Sequence, residues 1–267
     1  MAKYNFEDSA IYSEIQKLIF LPVKNKFDNP YWVNTKSDNK LACYYFNKYP
    51  EANTIVHFHG NGETVKDYLQ NYVPIMDILK LNIFLVEYRG YGMSTGEPDL
   101  SEMLNDIESI FETLNIPEEQ IVVYGRSFGS LSAIHAVSLY PKISGLVLES
   151  GLATLPEYQP LADYFYYKPI SFEDSYSERE LDEIEKLFNI KAKISSFRGS
   201  TLMFHCKNDN LIPLSNAKKL IGWANEPKLL KIYEIGNHNS FIYENKNFID
   251  YHNRLYDFVK KNVTAFK

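Results

Sequence analysis

The sequence predicts an α/β fold: a mostly parallel, doubly wound sheet carrying an inserted cap. Three observations carry that expectation. Short, nearly continuous apolar runs alternate with amphipathic helical stretches through most of the chain. A serine bracketed by glycines follows directly on one of those runs. One connection, residues 152 to about 198, is too long for a simple crossover.

The elements follow in chain order. Leu41–Phe46 comes after the turn-like Ser37-Asp38-Asn39 and reads as one arm of a hairpin. Six apolar runs then read as core strands: Thr54–Phe58, Asn82–Val86, Ile121–Tyr124, Ile143–Leu148, Thr201–Phe204 and Leu229–Tyr233. Strands that are apolar on both faces belong inside a parallel sheet covered by helices. Leu100–Leu114 supplies such a helix, with Met103, Ile107, Ile110, Phe111 and Leu114 on one stripe. Phe248 to Val263 supplies another, with Phe248, Tyr251, Leu255, Phe258 and Val259 on its apolar face. Within the long connection, Ser177 and Glu180 fit a capping box opening a further helix. The expected organisation is one domain, residues 1–267, with the cap inserted at about 152–198.

Composition narrows the function classes. Hydrophobic residues make up 45% and charged residues 23%, as in ordinary globular proteins. The net charge of −6 and the sparse basic stretch Lys260-Lys261 with Lys267 argue against nucleic acid, which needs a concentrated basic face. Cys43 and Cys206 are too few and too far apart for a disulfide framework or a metal-binding spacing. The first apolar run, Leu18–Val23, is short and holds a proline, so neither a secretory signal nor a membrane span is read there. The cytoplasm is the expected location. Oligomeric state has no sequence signature.

Gly125-Arg126-Ser127-Phe128-Gly129 follows the run ending at Tyr124 and precedes a helix-like stretch. This is Gly-x-Ser-x-Gly in the strand, sharp turn, helix context that the motif requires. The glycines remove side chains that would collide with strand and helix, and Ser130 and Ala133 ease the helix approach further. The helix N-terminus brings N–H groups and positive potential to the oxygen that gains charge. Ser127 is therefore the candidate nucleophile.

A serine hydroxyl needs a histidine base, itself held by a carboxylate. In this topology the chain order is Ser, then Asp or Glu, then His, each on a loop after a strand. His57 and His59 precede Ser127; His135 and His252 fall in helices and His205 in a strand. His238 alone sits on a loop directly after a core run, and is the candidate base. Asp209 is the one carboxylate in the loop after Thr201–Phe204, and is the candidate acid. Glu149, one strand earlier, is the competing position.

Two N–H donors should face the developing oxyanion. One belongs to the residue after the nucleophile, Phe128, and the other to the backbone of Asn61 in His59-Gly60-Asn61-Gly62. His57 and His59 read as packing residues, since a zinc site built on their alternation lacks a third ligand. Tyr88-Arg89-Gly90-Tyr91-Gly92-Met93-Ser94-Thr95-Gly96 lacks the spacing of a nucleotide loop and reads as a tight loop bordering the site.

Jointly, His59-Gly-Asn-Gly, Tyr88-Arg-Gly-Tyr-Gly-Met-Ser, Gly125-Arg-Ser-Phe-Gly, Asp209 with Ile212-Pro213, and Gly236-Asn-His238 resemble the α/β-hydrolase superfamily. The resemblance runs over roughly residues 30 to 265. Within the superfamily the chain is similar to small cytosolic abhydrolase-domain proteins of the esterase and acyl-protein thioesterase type. The resemblance implies the α/β-hydrolase fold, the triad Ser127, Asp209 and His238, and no metal or organic cofactor. It also implies a small-molecule carboxylic ester or thioester substrate, or an acyl chain. In two places the chain departs from the family: it has His205-Cys206 where the family usually has His-Gly, and its cap matches no named pattern. The cap residues Tyr158, Leu161, Tyr164, Phe165 and Tyr167 would suit an apolar acyl group, or pack the cap on the body. The competing readings are an aminopeptidase-like serine peptidase, which needs a site for a peptide terminus, and a non-catalytic binding protein on the same fold.

Overall fold

The computed structural model describes residues 16, 17, 19–155 and 185–264. Eight strands form one sheet in the order β1-β2-β4-β3-β5-β6-β7-β8. They are β1 (Tyr31–Asn34), β2 (Lys40–Phe46), β3 (Thr54–Phe58), β4 (Asn82–Val86), β5 (Ile121–Arg126), β6 (Gly145–Glu149), β7 (Ser200–Cys206) and β8 (Lys228–Tyr233). The hairpin β1–β2 and the β2–β4 pair are antiparallel. Every pair from β4 to β8 is parallel. Strand order reverses at β3, and the carboxyl ends of β3 and β5 lie side by side, with Phe58 opposite Gly125. That is where open α/β sheets place their ligands.

The apolar runs work as expected because the sheet is covered twice. Val56, Phe58, Phe84, Val123, Leu146, Leu148 and Met203 face one core, with the helix Leu100–Leu114 (α1) and the helix Gly129–Leu139 (α2). Ile55, Ile83, Leu85, Val122, Tyr124, Val147, Leu202 and Phe204 face the other. There they meet Val65–Leu69, Tyr72–Leu79 and the final helix Asn245–Thr264 (α3). Alternate residues of one strand thus feed opposite cores, so each run must be apolar throughout. Asp99 caps α1 by accepting the Glu102 N–H at 2.8 Å. Asn115 ends it in the left-handed region, at φ 45°.

Two details differ from the sequence reading. β8 is an edge strand, with only Tyr233 buried and Leu229 49% exposed, because among the described residues nothing pairs on its outer side. Phe248 lies in the first turn of α3, 38% exposed, while Tyr251, Leu255 and Val259 carry that helix's buried face. The aromatic stretch 158–167 and the Ser177–Glu180 capping box lie outside the described residues. Among the described residues, no helix is long and apolar enough to cross a membrane.

Candidate active site

The turn after β5 sets the site. Ser127 has φ 51°, in the left-handed region that a non-glycine residue rarely occupies. Its N–H is tied to the Glu149 carbonyl at 2.8 Å, and the Ser130 N–H donates to the Ser127 carbonyl at 3.0 Å. The flanking glycines are a steric requirement. A Cβ on Gly125 would sit 2.6 Å from Ala133 Cβ and 2.7 Å from Ser130 Cα. One on Gly129 would sit 2.5 Å from the His59 carbonyl oxygen and closer still to that of Phe58. The first turn of α2 therefore rests directly on the end of β3.

Three sequence-selected residues, drawn from three loops, meet at this turn. His238 Nε2 lies 2.9 Å from Ser127 Oγ. His238 Nδ1 lies 2.7 Å from Asp209 Oδ2. An ionised carboxylate only accepts, so Nδ1 carries the proton and Nε2 faces the serine hydroxyl as an acceptor. The other Asp209 oxygen accepts the Leu211 and Ile212 N–H groups at 3.0 and 2.8 Å. Burial alone would raise the Asp209 pKa, but the His238 bond and charge, with the Ile212 N–H, outweigh it and hold the carboxyl below its usual range. All three side chains are buried.

Cys206 does not disturb the turn that presents Asp209. β7 runs through Cys206, and the Asp209 N–H closes the turn on the Cys206 carbonyl at 3.3 Å. His205 backs the same loop: its Nε2–H donates to the Ile212 carbonyl at 2.9 Å. The competing acid, Glu149, points elsewhere. One of its oxygens accepts from Arg126 Nε at 3.1 Å. The other accepts from the hydroxyls of Tyr124 and, at 2.6 Å, Tyr251.

On the opposite side stands the His59–Glu63 loop. The Asn61 side chain braces it: Oδ1 accepts the Leu21 N–H at 2.9 Å and the Tyr91 hydroxyl at 2.7 Å, while Nδ2 donates to the Ile19 carbonyl. The bracing chain segment, Ile19–Leu21, packs Phe20 edge-on against Phe128, with ring centroids 5.5 Å apart. It also packs Phe20 against Tyr91. The glycine-rich loop after β4 borders this wall, and Tyr88 donates its hydroxyl to the His59 carbonyl at 2.8 Å. The backbones of Asn61 and Phe128, the two sequence-chosen donors, thus belong to one packed wall around Ser127.

A ring of buried charge escaped the sequence reading. His59 has both ring nitrogens 2.8 Å from acceptors, the Gly60 carbonyl and Glu87 Oε1. Burial opposes its charge, yet the Glu87 bond and charge raise its pKa. Arg126 pairs with Glu63 and Glu149. A signal for this was present: His59, Glu87, Arg126 and Glu149 each stand at or just past the carboxyl end of an apolar run. His57, by contrast, packs among Tyr68, Tyr72 and Tyr124 as a core residue.

Comparison with known proteins bears on the fold. A family model described as serine aminopeptidase, S33, matches residues 50–169. Mouse alpha/beta hydrolase domain-containing protein 17C is 28% identical over 127 residues, 46% of this chain and 39% of that protein. The uncharacterized Escherichia coli K12 protein YfhR is 27% identical over 193 residues, 69% of this chain and 62% of that protein. The chain thus matches less than two thirds of the length of either relative. Among solved structures, the Pyrococcus furiosus esterase Pf2001 is similar with a TM-score of 0.69 at 18% identity, over 91% of this chain and 96% of that one. A Paleococcus ferrophilus monoacylglycerol lipase is similar with a TM-score of 0.63 at 17% identity, over 83% of this chain and 99% of that one. The eight-stranded, mostly parallel sheet with helices on both faces has the α/β-hydrolase fold, shared with these esterase and lipase structures.

Proposed function

We propose that the protein is a serine hydrolase that cleaves carboxylic ester or thioester bonds of small or acyl-chain substrates through an acyl-enzyme on Ser127. The observation that carries this reading is the relay Ser127 Oγ to His238 Nε2 at 2.9 Å, and His238 Nδ1 to Asp209 at 2.7 Å. Ser127 Oγ attacks the acyl carbon as His238 Nε2 takes its proton. The backbone N–H groups of Phe128 and Asn61 receive the charge that develops on the carbonyl oxygen. His238 then protonates the leaving alcohol or thiol, and water repeats the sequence to release the acid. Asp209 holds the imidazole tautomer and stabilises its cation, without itself becoming protonated. The esterase and lipase neighbours support the ester as the bond cleaved. In this reading the body and the insertion at 152–198 form one domain with a cap that selects the acyl group.

A fluorophosphonate probe tests the assignment. It labels the wild-type protein and leaves Ser127→Ala unlabelled; equal labelling of both removes Ser127 from the reaction. Turnover of p-nitrophenyl esters and acyl-thioesters of increasing chain length then ranks the substrates. The second reading, a serine peptidase, is favoured by the description of the family model matching residues 50–169. Turnover confined to aminoacyl p-nitroanilides would select it over the esterase.

A further inference from the structure

Arg126 sits directly before the proposed nucleophile, and its side chain is buried. It donates in three directions. Nε reaches Glu149 Oε1 at 3.1 Å, an interaction set by the parallel register that puts Arg126 opposite Glu149. Nη1 pairs with Glu63. Nη2 donates to Asn239 Oδ1 at 2.9 Å and to the backbone carbonyl of His238 at 3.3 Å. The partners carry the connection onward. The second oxygen of Glu63 accepts the Gly60 N–H at 2.7 Å and the Tyr68 hydroxyl at 2.5 Å. One planar fork therefore joins the oxyanion loop, the end of the nucleophile strand and the backbone of the candidate base.

A fold in need of stability alone would not choose this arrangement. Glu149 and the guanidinium lose nearly all their water here and Glu63 much of its own, and buried ion clusters replaced by apolar side chains of similar volume are often neutral or stabilising. What a guanidinium offers that apolar packing does not is direction: five N–H donors in a rigid plane. The segments it joins come from positions 60–63, 126 and 238–239, far apart in sequence. Their relative placement sets the 2.9 Å contact between His238 and Ser127.

We propose that Arg126 is a positioning residue of the proposed serine-hydrolase reaction, locking the base loop and the oxyanion loop to the nucleophile strand. The proposal rests on the serine-hydrolase reading above. A cleft of about 180 Å³, lined by Arg126, Glu63, Tyr68, Asn239 and Tyr243 among others, gives a small cation access to the place the side chain would leave. Chemical rescue is therefore the test. Arg126→Ala should lower kcat for a p-nitrophenyl ester by about 10²-fold, the loss that a 1 Å misplacement produces, with KM changed little. Guanidinium, kept well below denaturing concentrations, should restore part of that loss. Sodium and urea at the same concentrations should not. Asn239→Ala, which removes one Arg126 acceptor from an exposed loop, should lower kcat several-fold, and it decides the matter if Arg126→Ala does not fold. Wild-type kcat in Arg126→Ala overturns the proposal, as does a loss that guanidinium leaves unrestored. Wild-type kcat in Asn239→Ala overturns it where Arg126→Ala is unfolded. Fluorophosphonate labelling of the wild type separates the two levels: no label sinks the serine-hydrolase reading itself. Label taken up equally fast by wild type and Arg126→Ala sinks only the assignment of Arg126.

Discussion

Gly129→Ala isolates the contact between the turn of the proposed nucleophile and the proposed oxyanion loop. Gly129 lies in the first turn of α2 with no left-handed φ, so alanine strains no backbone torsion there. Helix propensity even favours alanine, by up to about 1 kcal/mol. The whole penalty comes from what the new Cβ would meet: carbonyl oxygens of Phe58 and His59, and the Phe58 carbonyl carbon at 2.6 Å. These are backbone atoms and cannot rotate aside. The helix start and the end of β3 must part by about 1 Å to restore ordinary contact. Overpacking of this kind costs about 1–3 kcal/mol, partly offset by propensity, so the variant should fold with a modest loss in urea. Its kcat/KM for a p-nitrophenyl ester should fall by about 10²-fold, because the displaced atoms lead into Gly60 and Asn61. Gly222→Ala is the control. Its Cβ would meet nothing within 4 Å, and it should leave kcat/KM unchanged. Wild-type kcat/KM in Gly129→Ala would refute the idea that this contact sets the position of the oxyanion loop.

Two further outcomes follow from the buried ionisable groups. Asp209→Asn turns an acceptor into an amide that can donate to His238 Nδ1, favouring the wrong tautomer; kcat should fall by about 10⁴-fold with the fold intact, and a loss below tenfold removes Asp209 from the proposed triad. Stability should decline as pH falls from 7 to 5. Burial, with the charges of His59 and Arg126, holds the His57 pKa well below 6.5, and burial with Lys193 lowers that of His135 to about 3. Below about 6.5 the unfolded chain binds protons that the native state refuses, so the stabilisation present at neutral pH is lost on acidification. His59, raised by Glu87, acts with the opposite sign and offsets part of the slope. His57→Phe should flatten the dependence of Tm on pH; an unchanged slope would show that His57 is not a source of it.

The sequence made legible whatever depends on neighbours along the chain. Thr54–Phe58, Asn82–Val86 and Leu100–Leu114 have the same bounds in the structure as in the reading, because period and capping are local. Ser127, Asp209 and His238 were legible for a related reason. Each follows a strand, and a parallel sheet brings all its carboxyl ends to one edge, so strand order converts chain position into proximity. Two things were missed because their cause is not local. The edge position of β8 depends on which strand is last, although Lys231 in mid-strand, where β6 is apolar, is a partial local sign of it. The chemistry of Arg126 depends on two strand ends and two loops converging, so the same Arg in a sequence window looks like a solvated surface residue. Glu149 shows the cost of that blindness: read locally, it is a loop carboxylate that competes for the role of acid. Read in the fold, its two oxygens are held by Arg126, Tyr124 and Tyr251. A charge that closes an apolar strand is therefore a better guide than a charge in a loop. At a sheet's carboxyl edge it must be buried, burial demands partners, and the partners available there are the other strand ends that build the site.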